Sequence, residues 1–159
     1  MSPGLNRRSM LFAAIAVALV PGTAYSAPHI PPRILFVCQF GTVKSPIARE
    51  LLKRRAAERG LAVKVAARGI TPQHHMTPDL LARLERDGIN PSAEPLRKLR
   101  ANDIAAADLV IAFDRLPANF RPRRFEDWSD LPSIVNDYDH ARPILDARIE
   151  RILQSLPRR

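Results

Sequence analysis

Nine consecutive positions hold most of the chemistry in this chain: Cys38-Gln39-Phe40-Gly41-Thr42-Val43-Lys44-Ser45-Pro46. Cys38 is the one cysteine among 159 residues. A cysteine attacks as the thiolate, which a nearby cation and the amides at a helix N-terminus favour. Lys44 brings a cation and Ser45 a hydroxyl. A loop whose backbone N–H groups close on a helix N-terminus adds a cradle for an anion. A thiolate, a cradle for three oxygens and a countercharge are the parts that attack on a phosphate ester requires. The competing reading of a lone cysteine is core filler, because free cysteine is among the most buried residue types. One cysteine also rules out an intramolecular disulfide.

The flanking segments decide how this run is held. "RILFVC" (33–38) is a short apolar run rich in β-formers and reads as a buried strand. Ser45-Pro46 reads as a helix start, a capping residue followed by proline at the first helical position. Ile47, Ala48, Leu51, Leu52 and Ala56 form the inner face of that helix, and Gly60 ends it. "LAVKVAA" (61–67) is a second strand, followed by the loop "RGITPQHHM". Thr77-Pro78-Asp79 opens a second helix, with Leu80, Leu81 and Leu84 inward and Gly88 at its stop. A short helical patch near 100–106 leads into a third strand, "ADLVIAFD" (107–114), apolar without alternation as in a sheet covered on both faces. A short fourth strand is expected near Phe125–Trp128. A last helix runs from about 139 to 156, with Leu145, Ile149, Ile152, Leu153 and Leu156 at helical spacing and Pro143 near its start.

Strands alternating with helices predict a single α/β domain: a doubly wound, four-stranded parallel sheet with helices on both faces, over residues 33–157. Ligands of such sheets bind beyond the carboxyl ends of the strands. Cys38 and Asp114 both fall there, which moves Cys38 away from the core-filler reading.

The N-terminus is set apart by composition. Residues 1–26 run from a basic start through an apolar stretch, Met10 to Val20, into small residues, the pattern of a secretory signal. Arg7-Arg8 before Ser9-Met10-Leu11-Phe12 resembles a twin-arginine export signal. Cleavage is expected after Ser26 or after Ala24, with an uncleaved membrane anchor as the alternative. Export to the periplasm or beyond follows from the cleaved reading, with no membrane attachment afterwards. Residues 27–32, "APHIPP", form a proline-rich lead-in.

The chain carries 25 basic and 16 acidic side chains; without Arg7 and Arg8 the basic count is 23, a net charge of +7. That balance favours anionic partners. The clusters at 53–55, 97–100 and 121–124 have no interleaved aromatics, so base stacking on nucleic acid is poorly supported. They read as solvated surface. His74-His75 with Met76 lacks a second ligand pair at metal spacing, and neither a metal nor a cofactor is expected. His140 reads as surface, and Trp128 as a packing anchor.

"VCQFGTVKSP" resembles the C-x-G-N-x-C-R-S-P signature of the low-molecular-weight protein tyrosine phosphatases. The resemblance extends through "SPIARELLKRRAAERGL" and, less strictly, over most of 33–156. "ARGI" (67–70) sits where the family shows a small residue–Gly–Thr turn. Thioredoxin-coupled arsenate reductases share the fold and loop. The resemblance implies that Cys38 is the nucleophile. It likewise makes the backbone of Gln39, Phe40, Gly41, Thr42, Val43 and Lys44 the oxyanion cradle and Ser45 the hydroxyl that steadies the thiolate. The family's general acid lies in a D-P pair before the last helix. This chain lacks that pair, and Asp137 is the leading candidate, with Asp130 and Asp139 as competitors; all three could equally be solvated loop residues or helix caps.

Four positions depart from the signature: Phe40 for glycine, Gly41 for asparagine, Val43 for the second cysteine and Lys44 for arginine. Gly41 cannot buttress the loop with a side chain but can supply a positive φ. Lysine is a point charge where arginine offers two parallel donors. The expected activity is hydrolysis of a phosphotyrosine-type ester, on a phosphorylated protein or small molecule, through a cysteinyl-phosphate, slowed by Lys44. The alternatives are a non-catalytic oxyanion- or partner-binding domain, and an arsenate reductase completed by an external thiol. Oligomeric state is not legible.

Overall fold

The computed structural model describes Met1 and residues 30–157. The signal reading of 1–26 and the first half of the proline-rich lead-in, 27–29, lie outside the described residues. Four strands, β1 (Arg33–Cys38), β2 (Lys64–Gly69), β3 (Leu109–Ala112) and β4 (Phe125–Asp127), pair in the order β2-β1-β3-β4, all parallel. Among the described residues four α-helices connect or follow them, α1 (Lys44–Glu58), α2 (Pro78–Arg86), α3 (Ala101–Ala106) and α4 (Tyr138–Ser155), with a short 3-10 turn at Pro91–Ala93. The expected architecture is the observed one.

Central strand β1 is buried on both faces, which is why it reads as an unbroken apolar run. Its two-residue pleat sorts the side chains. Ile34, Phe36 and Cys38 join the core under α1 and α4, together with Leu51, Leu52, Leu145, Ile149 and Leu153. Leu35 and Val37 face the other side, with Ile104 of α3, Leu99, Val110 and Ala112. Cys38 therefore ends the strand on the α1 side. Trp128 is buried beside Phe36 and Phe113, with the Arg148 guanidinium over its ring, a packing anchor as expected.

Two boundaries and one buried position show where the structure departs from the sequence expectation. The second strand begins at Lys64 rather than Leu61, because Leu61 N–H is spent on the Ala56 carbonyl in closing off α1. In α2, Leu80 and Leu84 are buried but Leu81 is 37% exposed. A nine-residue helix presents only two turns to the core, and Leu81 falls a hundred degrees from Leu80. Helix α1 starts at Lys44, two residues before the expected Pro46: Ile47 N–H donates to the Val43 carbonyl, so Val43 holds the cap position without a side-chain cap. Pro46 then sits within the first turn, where its missing N–H has no intrahelical partner to lose. Ser45 is thereby released from capping, and its hydroxyl serves the site instead.

Candidate active site

The loop between β1 and α1 wraps around the Cys38 sulfur. Cys38 Sγ accepts the Gly41 N–H at 3.2 Å and lies 3.1 Å from Ser45 Oγ. The thiol is only 5% exposed, yet it forms part of the wall of a cavity of about 200 Å³. Gln39, Phe40, Thr42, Val43 and Lys44 complete the loop side of that cavity. The amides of the first turn of α1 have no intrahelical partner and carry the positive end of the helix dipole. A bound oxyanion is favoured here for that electrostatic reason.

Ser45 is fully buried and stands 3.3 Å from the Arg68 carbonyl as well as 3.1 Å from Sγ. One hydroxyl proton cannot serve both. With a neutral thiol, S–H donates to Oγ and Oγ–H donates to the Arg68 carbonyl. With a thiolate, Oγ–H turns to the sulfur. A rotation of one hydroxyl thus follows the charge on Cys38.

The loop needs external support because Gly41 has no side chain. Gly41 has φ +72°, the left-handed region that glycine enters without penalty. A Cβ there would stand 2.7 Å from the Gly69 nitrogen and 2.7 Å from Leu96 Cδ1, so Gly41 and Gly69 pass back to back. The segment after β2 then bonds to the loop residue by residue: Ile70 N–H to the Cys38 carbonyl, Thr71 N–H to that of Gln39 and Gln73 N–H to that of Phe40. Gln39 Nε2 donates to Thr71 Oγ1 at 2.7 Å, and Thr42 Oγ1 to the Gln73 carbonyl at 3.0 Å. On the opposite flank Asp114, two residues beyond the end of β3, accepts the Gln39 N–H at 2.8 Å. Two neighbouring strands supply the buttress.

Lys44 lines the cavity half-buried, and its Nζ donates to the Leu131 carbonyl at 3.0 Å. The cation is thereby tied to the segment between β4 and α4, whose Ser133, Ile134, Val135 and Asn136 form the far wall. The three candidate acids stand elsewhere. Asp130 is held by both guanidinium nitrogens of Arg148, at 2.9 and 2.5 Å, which keeps its carboxyl below the ordinary range. Asp139 pairs with Arg83, and Asp137, at the cap position of α4, lies 3.3 Å from His140 Nδ1. None of the three is among the cavity-lining residues.

Two titratable lining residues were not assigned to the site from sequence, Asp114 and His75. Asp114 had a legible signal, the carboxyl end of a parallel strand. His75 had none beyond its residue type. The adjacent histidines part company: His75 lines the thiol cavity, and His74 lines a neighbouring depression with Arg49 and Pro91. Among the described residues no three His, Cys, Asp or Glu side chains cluster as metal ligands.

A nucleophilic cysteine at the end of the central strand of a parallel sheet, enclosed by a loop that runs into a helix N-terminus, defines a class of oxyanion-handling α/β protein. The chain belongs to the low molecular weight phosphotyrosine protein phosphatase family, which matches it over residues 33–146. Among solved structures it is similar to YfkJ from Bacillus subtilis (22% identity, TM-score 0.68, covering 81% of this chain and 96% of that one). It is also similar to a low molecular weight protein tyrosine phosphatase from T. tengcongensis (19%, 0.67, 79% and 99%). A thioredoxin-dependent arsenate reductase from Corynebacterium glutamicum shares the fold at 26% identity and TM-score 0.64, over 81% of this chain and 63% of its own. No curated protein matches the chain.

Proposed function

We propose that this protein hydrolyses phosphomonoesters of the phosphotyrosine type through a cysteinyl-phosphate on Cys38. The observation that carries the reading is the convergence of the Gly41 N–H and the Ser45 hydroxyl on one sulfur at the wall of a cavity. The Cys38 thiolate attacks phosphorus, the bond to the leaving oxygen breaks, and the loop amides with Lys44 bear the charge on the equatorial oxygens. Water then cleaves the phosphorus–sulfur bond, releasing phosphate and the thiolate. The basic, apolar and small-residue pattern of residues 1–26 supports an exported enzyme that meets its substrate outside the cytoplasm.

Purified protein is expected to turn over p-nitrophenyl phosphate and to lose that activity in Cys38→Ser. Absence of both steady turnover and a phosphoenzyme burst would refute the proposal.

A second reading, a domain that holds an oxyanion without cleaving it, is favoured by the engagement of Lys44 with the Leu131 carbonyl. Lys44→Arg separates the two. A handicapped enzyme gains rate from a two-pronged donor, whereas a binding domain stays inactive. Arsenate reduction through the same cysteine would need an external thiol, since the chain has one cysteine.

A further inference from the structure

We propose that His75 is the group that exchanges a proton with the leaving oxygen in this site. The inference rests on the phosphatase reading above and adds a residue to it. In-line displacement places the leaving oxygen on the side of phosphorus away from Cys38, toward the cavity mouth. An acid for that oxygen must be in the cavity wall, must be able to carry a proton near neutral pH, and must not be committed elsewhere.

The titratable side chains lining the cavity are Cys38, Lys44, Asp114 and His75. Cys38 is the nucleophile. Lys44 is the countercharge, with one of its protons on the Leu131 carbonyl. Asp114 accepts the Gln39 N–H on Oδ2, which engages it in bracing the loop. Of the aspartates of the following segment, Asp130 pairs with Arg148 and Asp139 with Arg83, Asp137 lies 3.3 Å from His140 Nδ1, and none of the three lines the cavity. His75 is left, and histidine is the side-chain type that trades protons most readily near neutral pH.

Its placement is fixed from two directions. The imidazole packs against the Phe40 ring, centroids 5.3 Å apart and tilted by 47°. Two residues earlier, Gln73 N–H donates to the Phe40 carbonyl at 3.1 Å, tying the histidine-bearing strand of loop to the phosphate loop itself. Phenylalanine at position 40, where the family signature has glycine, is thus the surface against which the histidine rests. His75 is also exposed, so its ring recharges from solvent.

The step balances. As the sulfur–phosphorus bond forms and the phosphorus–oxygen bond breaks, the imidazolium N–H passes its proton to the departing oxygen and becomes neutral imidazole. The neutral imidazole then takes a proton from the water that attacks the cysteinyl-phosphate, returning to imidazolium as phosphate forms.

The experiment compares p-nitrophenyl phosphate, whose leaving group needs little protonation, with phenyl phosphate, whose leaving group needs much. His75→Gln should cost phenyl phosphate hydrolysis about 100-fold or more and p-nitrophenyl phosphate at least 10-fold less than that. The ratio of the two rates is insensitive to a loss of fold or of binding alone. His75→Asp, which returns a proton donor, should recover part of the ratio, and Asp137→Asn should leave it unchanged. An unchanged ratio in His75→Gln, or a collapse in Asp137→Asn instead, overturns the assignment while leaving the phosphatase reading in place. A wild-type protein inert toward both esters overturns the phosphatase reading and this assignment with it.

Discussion

Gly41 and Gly60 offer a matched pair for separating backbone strain from collision. Both have positive φ, +72° and +64°, so alanine at either position pays the same left-handed penalty, about 1–2 kcal/mol. Their surroundings differ. A Cβ on Gly60 meets nothing within 4 Å, whereas one on Gly41 falls 2.7 Å from the Gly69 nitrogen, 2.8 Å from Gly69 Cα and 2.7 Å from Leu96 Cδ1. The leucine methyl can swing aside, but the backbone of β2 cannot without breaking the bonds from Ile70 and Thr71 to the loop. Overpacking of that kind costs about 1–3 kcal/mol. Gly60→Ala is therefore expected to lower unfolding stability by about 1–2 kcal/mol and Gly41→Ala by about 2–5 kcal/mol, in urea titrations with unchanged slopes. Activity sharpens the contrast, because Gly41 N–H points at the Cys38 sulfur and the other glycine is remote from the cavity. Gly60→Ala should keep full turnover of p-nitrophenyl phosphate, and Gly41→Ala should lose most of it. Equal destabilisation by the two changes would show that the loop does not press on β2, and the account of how the loop is held would fail.

Ser45→Ala removes a hydrogen bond to a charged sulfur, worth about 1.5–3 kcal/mol, so kcat/KM should fall about 10- to 150-fold and iodoacetamide should alkylate Cys38 more slowly. An unchanged alkylation rate would mean that the hydroxyl serves only the Arg68 carbonyl. Arg49 is 2% exposed and holds Glu50 at 2.6 Å, Glu94 at 3.5 Å and the Pro91 carbonyl at 3.1 Å. Arg49→Ala should destabilise by about 3 kcal/mol, the low end for breaking a buried pair, since Glu94 keeps contact with water; a thermal melt within error of wild type would contradict this. Hydrogen bonding from Tyr138, aided by Arg142, holds the Asp87 carboxyl below its ordinary range. A group whose folded value is depressed stabilises the fold above its unfolded value and loses that contribution as pH falls. The melting temperature should therefore drop on acidification below about pH 4, and Asp87→Asn should flatten that limb. A variant with the same acid slope as wild type would assign the loss to other carboxylates.

Much of the fold is legible because its signals are local. β1 is an apolar run with a cysteine at its end, and both boundaries match the structure: Ile34 to Cys38 are all buried behind the exposed Arg33. The inner face of α1 follows from spacing, and Ile47, Ala48, Leu51, Leu52 and Ala56 are all buried. Leu81 shows the limit of spacing. Whether a flanking leucine is covered depends on what lies over a short helix, which periodicity does not carry. The start of β2 moved by three residues for a similar reason: "LAV" has strand composition, but the exit of α1 claims Leu61 first.

The sequence by itself determined the nucleophile's setting, since strand end, loop and helix start are consecutive in the chain and their geometry follows from short-range chemistry. It also marked Gly41 as the place where the loop turns. Only the tertiary structure decided what surrounds that loop. Setting β1 between β2 and β3 brings Gly69 and Gln73 to one flank and Asp114 to the other. The β4–α4 connection carries Leu131 to Lys44, while Asp130 and Asp137 in it and Asp139 in the first turn of α4 meet Arg148, His140 and Arg83 instead. His75 meets Phe40 across a loop that spacing could not place. A parallel sheet joins its strands through long crossovers, so its site is assembled from residues that are neighbours in space and strangers in sequence.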